Sequence, residues 1–356
     1  MSKLVFLFSF ALLSSSLFTK QKNNTQVPLS ANTGDAQPEE LGKVDWLRDI
    51  DQATKLAAKS NKPIFLLFQE VPGCSTCRHY GHQVLSHPLI VEAIETYFVP
   101  LAIHNNKEGK DREVLKYFRE PAWNNPVVRF IDHRKQNLTD RISGNYTPLA
   151  VVKHMIEIMN SEQITIPEYL EFLVQELSAN TGATETAYLS MYCFWTGEKK
   201  IAGIKGVLET QAGFMGGREV VKTTFDPTLV SYESLIKQAQ AQSCASHIFS
   251  DNLIQQLTAE KISAAVSEKK TWQQDKETKY YLYKSSYRYV PMTMMQATQA
   301  NRLIGLGQSP NSVLSPRQLK LLKYIQAHPR KDWTNAINKD ITLAWDRTEE
   351  LWDTKQ

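Results

Sequence analysis

The stretch that most constrains this chain is Pro72-Gly73-Cys74-Ser75-Thr76-Cys77, which follows closely on the apolar run Ile64-Phe65-Leu66-Leu67-Phe68. An apolar run without polar alternation is the pattern of a strand buried on both faces. Pro72-Gly73 forces a turn, and the residues from Ser75 onward start a helix. Cys74 therefore belongs to the first turn of a helix, where unpaired backbone N–H groups and the positive end of the dipole favour thiolate over thiol. Cys77 lies three residues on, projects to the same side and is placed to resolve a mixed disulfide on Cys74. This makes Cys74 the expected exposed nucleophile and Cys77 the resolving thiol. A structural disulfide and half of a zinc site are the alternatives. A zinc site needs further ligands, and although His79 and His82 are near, no second cysteine pair follows.

The flanking sequence alternates helix and strand. Asp45 to Ser60 has helical spacing at Trp46, Leu47, Ile50, Ala53, Leu56 and Ala57, and Asn61-Lys62-Pro63 stops it. Leu85-Ser86-His87-Pro88 breaks the helix after the cysteines. Val91 to Tyr97 reads as a helix, Phe98 to Ile103 as a strand, and Asn124-Asn125-Pro126 precedes a strand at Val127 to Asp132. A proline just before a strand, well after a strand–Cys-x-x-Cys–helix unit, resembles the thioredoxin fold with its cis-proline at the active site. The resemblance covers about residues 43–160, inside a domain expected at 43–178. It implies thiol–disulfide exchange, with Pro126 bordering the substrate. The usual Trp-Cys-Gly-Pro-Cys is absent. Val71-Pro72-Gly73-Cys74 also resembles a thioredoxin-like group in which selenocysteine can stand where Cys74 does.

A polar hinge from Ser178 to Glu185, with Gly182, leads to a second domain expected at 185–290. Thr186 to Tyr192 reads as a strand, Cys193-Phe194-Trp195 follows at once, and Glu198 to Ile204 continues as a helix. Cys193 thus repeats the strand-to-helix position of Cys74, and the same dipole argument predicts a reactive thiol. Two aromatic residues beside it suit a small uncharged group such as a methyl. Gly206 to Gly217 is a strand with a glycine turn, Glu219 to Pro227 its hairpin partner, and Ser231 opens a helix to about Ala241. Strand, helix, strand, strand, helix is most of a ferredoxin-like split βαβ.

These residues resemble the A-type peptide methionine sulfoxide reductases. The family's Gly-Cys-Phe-Trp-x-x-Glu appears as Tyr192-Cys193-Phe194-Trp195-Thr196-Gly197-Glu198. Its glycine-rich strand appears as Gly206 to Gly217, with Phe214 for a tyrosine, and its next segment as Glu219 to Leu235, with Phe225 for a tyrosine. Its Asp-x-Gly-Thr-Gln-Tyr is matched loosely by Asp275-Lys276-Glu277-Thr278-Lys279-Tyr280. The resemblance implies that Cys193 attacks the sulfoxide sulfur and that Glu219 protonates the oxygen. Phe194 and Trp195 would hold the methyl group, and Asp275 and Tyr280 would steady the oxygen or an ordered water. Cys193 is left as a sulfenic acid that a second thiol converts to a disulfide. Within this domain Cys244 is the candidate for that thiol, its alternative being a small buried apolar residue. The chain departs from the pattern in four places. Tyr192 replaces the glycine and is expected to crowd the entrance. Arg218 alone separates Gly217 from Glu219. About thirty residues intervene between Ala241 and Trp272, and the family's His-Asp-Pro after the second helix is missing.

The fold class expected is therefore α/β plus α+β: a thioredoxin-like domain, then a ferredoxin-like, sulfoxide reductase-like domain. A helical C-terminal extension is expected at 291–356, with Ser315 capping a helix and the last stretch, with Trp333, Trp345 and Trp352, expected as a helix packed on the second domain. At the other end, Lys3, the apolar run Leu4–Leu13 and Ser14-Ser15-Ser16 have the order of a signal peptide over residues 1–20. A polar linker follows over 21–42. Either a cleaved signal or an uncleaved N-terminal anchor implies a periplasmic or secreted location, where paired cysteines are structural or redox-active. Lys and Arg total 41 against 37 Asp and Glu, a net charge of +4 with no basic stripe, so no nucleic-acid partner is expected. The pattern calls for no cofactor and no metal. The expected partners are oxidised proteins or peptides carrying methionine sulfoxide and an upstream thiol electron donor. The expected function is an exported thiol oxidoreductase in which the first domain reduces the second, which repairs oxidised methionine. The alternative is a general thiol–disulfide oxidoreductase whose second domain is a degenerate, client-binding module.

Overall fold

In the computed structural model, which describes residues 37–262 and 264–352, the buried run becomes the centre of a sheet. The expected signal peptide at 1–20 and residues 21–36 of the expected linker lie outside the described residues. The first part of the chain reads α1 (Ile50–Ser60), β1 (Ile64–Gln69), α2 (Ser75–Gln83), α3 (Pro88–Tyr97), β2 (Val99–His104), α4 (Lys110–Phe118), β3 (Val127–Ile131), β4 (Ile142–Ser143), α5 (Pro148–Ser161) and α6 (Glu168–Thr181). All of β1 is buried. It pairs in parallel with β2 and antiparallel with β3, in a sheet of order β2-β1-β3-β4. Phe65, Phe98 and Phe130 meet beneath it, with Phe130 centroids 5.2 Å from Phe65 and 5.3 Å from Phe98.

The first helix is shorter than its apolar spacing predicts. Asp49 accepts from the amides of Asp51 and Gln52, so the helix starts at Ile50. Leu47 is instead extended and bridges Leu101 on the sheet edge. Backbone pairing with an exposed strand edge won over helical periodicity here. The expected hinge is also shorter: α6 runs through Ser178 to Thr181, and only 182–184 separate it from the next strand.

The second part reads β5 (Glu185–Ser190), α7 (Phe194–Ile201), β6 (Val207–Met215), β7 (Arg218–Phe225), α8 (Tyr232–Ala241), β8 (His247–Phe249), α9 (Leu253–Lys261), β9 (Val266–Ser267), β10 (Gln273–Gln274) and α10 (Tyr280–Tyr283). The sheet order is β10-β6-β7-β5-β8-β9. Its inner strands β6-β7-β5-β8, joined through α7 and α8, form the complete split βαβ arrangement. The fourth strand, β8, lies in the segment that looked like an insertion after Ala241. With only His247, Ile248 and Phe249 it is too short to carry a periodic signal.

Three more helices follow, α11 (Met294–Gly305), α12 (Pro316–Ala327) and α13 (Ile341–Glu349). Ser315 caps α12 and Thr293 caps α11, each in a reciprocal capping box. The extension does not pack on the second domain alone. Glu92 of α3 accepts from the Arg317 amide of α12 at 2.7 Å, and Glu176 of α6 accepts from the Met295 amide of α11 at 3.1 Å. Lys43 pairs with Asp346 of α13 at 2.5 Å. The physical reason is that helix N-termini carry unpaired N–H groups, and here carboxyls of the thioredoxin-like part supply the acceptors.

Burial pushes Glu92 up to about 7, with the Ser315 hydroxyl and Arg317 amide opposing. A carboxyl whose pKa is raised on folding stabilises most below its unfolded value and loses that contribution as pH rises through about 7. The Glu92→Gln protein, which cannot ionise there, is expected to lose less thermal stability between pH 5 and 8 than the parent, measured as Tm.

Candidate active site

The turn that sequence places at Pro72-Gly73 brings two thiols together. Cys74 is the N-cap residue of α2 and is exposed, while Cys77 is buried in the first turn. Their Sγ atoms are 3.5 Å apart as free thiols. Gly73 has no substitute, because a Cβ there would lie 2.3 Å from the Glu70 carbonyl oxygen and 2.7 Å from Cys77 Cβ. The amides of Cys77 and Thr76 hold the Cys74 thiol below its ordinary value. Burial, with the neighbouring Cys74, pushes Cys77 up to about 12. Cys77 donates to Asn125 Oδ1 at 2.6 Å, and the Asn125–Pro126 peptide is cis, with Pro126 buried.

Sequence reasoning missed three supports of this turn. The buried Glu40 accepts from the Gly73 amide at 2.7 Å. Gln69 donates to the Cys77 carbonyl at 3.1 Å. Asn125 Oδ1 accepts the hydrogen bond from the Cys77 thiol. Gln69 had a signal, as a polar residue closing an all-buried strand. Glu40 had none, because it arrives from outside the strand–turn–helix unit. For a metal, the Glu70 carboxylate and the Cys74 and Cys77 sulfurs lie within 4.8 Å of one another, and His79 and His82 do not join them among the described residues. Three donors are one short of a closed tetrahedral site.

The second thiol has the same local origin. β5 ends at Ser190, and Cys193 is the half-buried N-cap residue of α7. β6 and β7 turn on Gly216-Gly217, whose φ values of 58° and 75° are those a two-residue hairpin of this hand demands. That turn puts Phe214 opposite Glu219. Glu219 Oε2 accepts from the Phe194 amide at 2.8 Å, so the carboxyl sits at the same helix N-terminus as Cys193. Phe194 packs edge-on against Phe214 at 5.2 Å. Tyr280 stacks on Trp195 at 4.0 Å and 17°, and the Trp195 indole donates to Asp275 at 3.0 Å.

Glu219, Phe194, Trp195, Asp275 and Tyr280 are thus gathered around the start of α7. The loosely matched Asp275–Tyr280 stretch is joined to the rest by its contacts with Trp195. Tyr192 does not crowd the entrance: it is 98% exposed. It lines an open cleft of about 370 Å³ with Ser190, Met191, Arg218, Glu219 and Ser246. Cys244 is buried just after α8, and its thiol donates to the Gln242 carbonyl at 3.4 Å. Burial pushes this thiol up, with the Lys200 ammonium opposing.

Residues 45–133 match a family model described as thioredoxin-like. The peptide methionine sulfoxide reductase of Methanococcus maripaludis is 39% identical over a stretch covering 15% of this chain and 45% of that protein. The mitochondrial peptide methionine sulfoxide reductase of Mus musculus is 35% identical over 32% of this chain and 51% of its own length. The chain spans about half the length of the curated relatives it matches. Among solved structures it is similar to a DsbH oxidoreductase, with a TM-score of 0.29 and 15% identity over 38% of this chain and 96% of that one. The molecule therefore combines a thioredoxin-like domain carrying the Cys74–Cys77 pair with an α+β region similar to peptide methionine sulfoxide reductases.

The difference between the two thiols of the first pair has a direct readout. Brief alkylation of the reduced native protein near pH 7, followed by peptide mass spectrometry, is expected to label Cys74 well before Cys77. Equal labelling would contradict the geometry.

Proposed function

We propose that this chain is an exported two-site thiol oxidoreductase that reduces methionine sulfoxide at Cys193 and is recharged through Cys74 and Cys77. The observation that carries the proposal is the Glu219–Phe194 amide hydrogen bond, which holds a carboxyl at the helix start occupied by Cys193, beside the Phe194 and Trp195 rings. The named relatives, sulfoxide reductases, support the same chemistry.

The Cys193 sulfur attacks the sulfoxide sulfur while Glu219 delivers a proton to the oxygen. Attack forms an S–S bond to the substrate sulfur; that bond and the substrate's S–O bond then both break as the hydroxyl passes to the Cys193 sulfur, leaving a thioether and a sulfenic acid. A second thiol then displaces that hydroxyl as water and forms a disulfide. Cys244 is the thiol proposed for that step, as the other cysteine of the same region. The Cys74–Cys77 dithiol reduces the product by exchange. Covalent linkage keeps the local dithiol concentration at roughly millimolar wherever the geometry permits contact. The apolar leader motivates export, and Tyr192 and Arg218 at the open cleft would meet the peptide around the oxidised methionine.

With dithiothreitol as reductant, the parent protein is expected to reduce a methionine sulfoxide peptide, and Cys193→Ser to abolish turnover. Glu219→Gln should lower kcat by about 10²- to 10⁴-fold, the usual share of a positioned general acid. Unchanged turnover in Cys193→Ser would refute the assignment.

The relay has a separate test in electron counting. The four cysteines make two dithiols. A fully reduced parent without external reductant should therefore convert about two equivalents of sulfoxide, and Cys74→Ser about one. One equivalent from the parent would mean that the two sites do not exchange electrons. Reduction of an insulin-type disulfide lost in Cys74→Ser, without any sulfoxide turnover, would favour the general disulfide oxidoreductase instead.

A further inference from the structure

Lys279 is a lysine with 0% exposure, held in the left-handed region at φ 54°. Burying an amino group is unfavourable unless its donors find acceptors. Here Nζ donates to the Thr210 carbonyl of β6 at 2.7 Å and to Thr298 Oγ1 of α11 at 3.1 Å. Its backbone amide donates to Glu198 Oε2 at 2.9 Å. Glu198 is also fully buried, and its other oxygen accepts from the Ala212 amide of β6 at 3.1 Å. The Ala212 carbonyl in turn accepts from the Asp275 amide at 2.9 Å.

These bonds close a circuit around one side chain. Glu198 lies about one turn after Trp195 on α7, and Lys279 immediately precedes Tyr280. The segment from Asp275 to Tyr280 is pinned at its start by Ala212 and near its end by Glu198, Thr210 and Thr298. It is this segment that sets Asp275 on the edge and Tyr280 on the face of the Trp195 ring. α11 joins the same circuit at a second point, where Asn301 Oδ1 accepts from the Leu282 amide at 3.1 Å. It braces α7 as well, through Gln299 to the Ala202 carbonyl at 2.8 Å and Lys199 to the Gly305 carbonyl at 3.0 Å.

We propose that Lys279 is a positioning residue of the Cys193 site, and that through it helix α11 of the C-terminal extension determines how Tyr280 and Asp275 hold Trp195. The inference rests on the sulfoxide reading of that site. Lys279 touches no reacting atom. Its effect is exerted on the aromatic wall that binds substrate, rather than on the sulfur that attacks it.

The test uses the full chain with a methionine sulfoxide peptide and dithiothreitol. Lys279→Met keeps the backbone amide and removes both Nζ bonds. It is expected to raise KM about tenfold while kcat stays within about threefold, a loss of the size a misplaced positioning group causes. Exchange of the Trp195 indole proton, assigned by NMR against Trp195→Phe, should quicken, because its bond to Asp275 loosens. Thr298→Val should move both readouts the same way by less, and adding it to Lys279→Met should cost nothing further, since both remove one interaction. KM within twofold of the parent together with unchanged indole exchange in Lys279→Met would overturn the proposal. If that variant does not fold, Thr298→Val decides by the same two readouts. If the parent itself shows no sulfoxide turnover, the functional reading fails. Indole exchange alone then decides whether Lys279 positions Trp195.

Discussion

The working parts of this molecule depend on the unpaired N–H groups at the starts of helices. A helix leaves its first amides without partners, and each such end attracts an acceptor or a sulfur. At α2 the sulfur is Cys74, whose thiol the amides of Cys77 and Thr76 hold below its ordinary value. At α7 the first amide is taken by Glu219, beside Cys193. At α11 and α12 the acceptors are Glu176 and Glu92, contributed by the thioredoxin-like part. The same local physics therefore places an exposed thiol of lowered pKa at one helix end, a carboxyl beside a thiol at another and an interdomain joint at two more.

This arrangement makes the C-terminal extension more than an appendage. The N-termini of α11 and α12 are bound to the first domain, and the polar face of α11 is bound to the second through Thr298, Gln299 and Asn301. Buried polar contacts of this kind are costly to leave unmade, so they specify one arrangement rather than many. The extension links the region that carries the dithiol to the region that carries Cys193. It does so through hydrogen bonds whose directions are fixed, as well as through an apolar cluster that includes Trp333, Trp345 and Trp352.

The pattern of strands and helices was legible in the sequence wherever a single element decided its own fate. Ile64–Phe68 had to be a buried strand because nothing in it could face water. Ser315-Pro316 and Ser231 announced helix starts because their hydroxyls satisfy local amides. The places that were misread are those where a partner far along the chain competes. Trp46 and Leu47 fit a helix by spacing, yet the edge of β2 claims Leu47. The residues after Ala241 lack any strong period, yet β5 recruits three of them as β8. Tyr192 was expected over the entrance because it replaces a glycine, but side-chain direction follows from how β5 leaves the sheet, and the ring faces solvent.

By itself the sequence determined which residues start helices after buried strands, and so which sulfurs stand at helix N-termini. That information is local, carried by apolar runs, turn residues and the spacing of the cysteines. Only the tertiary structure decided what gathers at those helix starts: Asn125 at Cys77, Glu219 at the Phe194 amide, and Asp275 and Tyr280 at the Trp195 ring. These contacts join residues from 25 to 85 positions apart. No local pattern encodes them, because each is selected only when packing brings a buried donor to the acceptor that satisfies it.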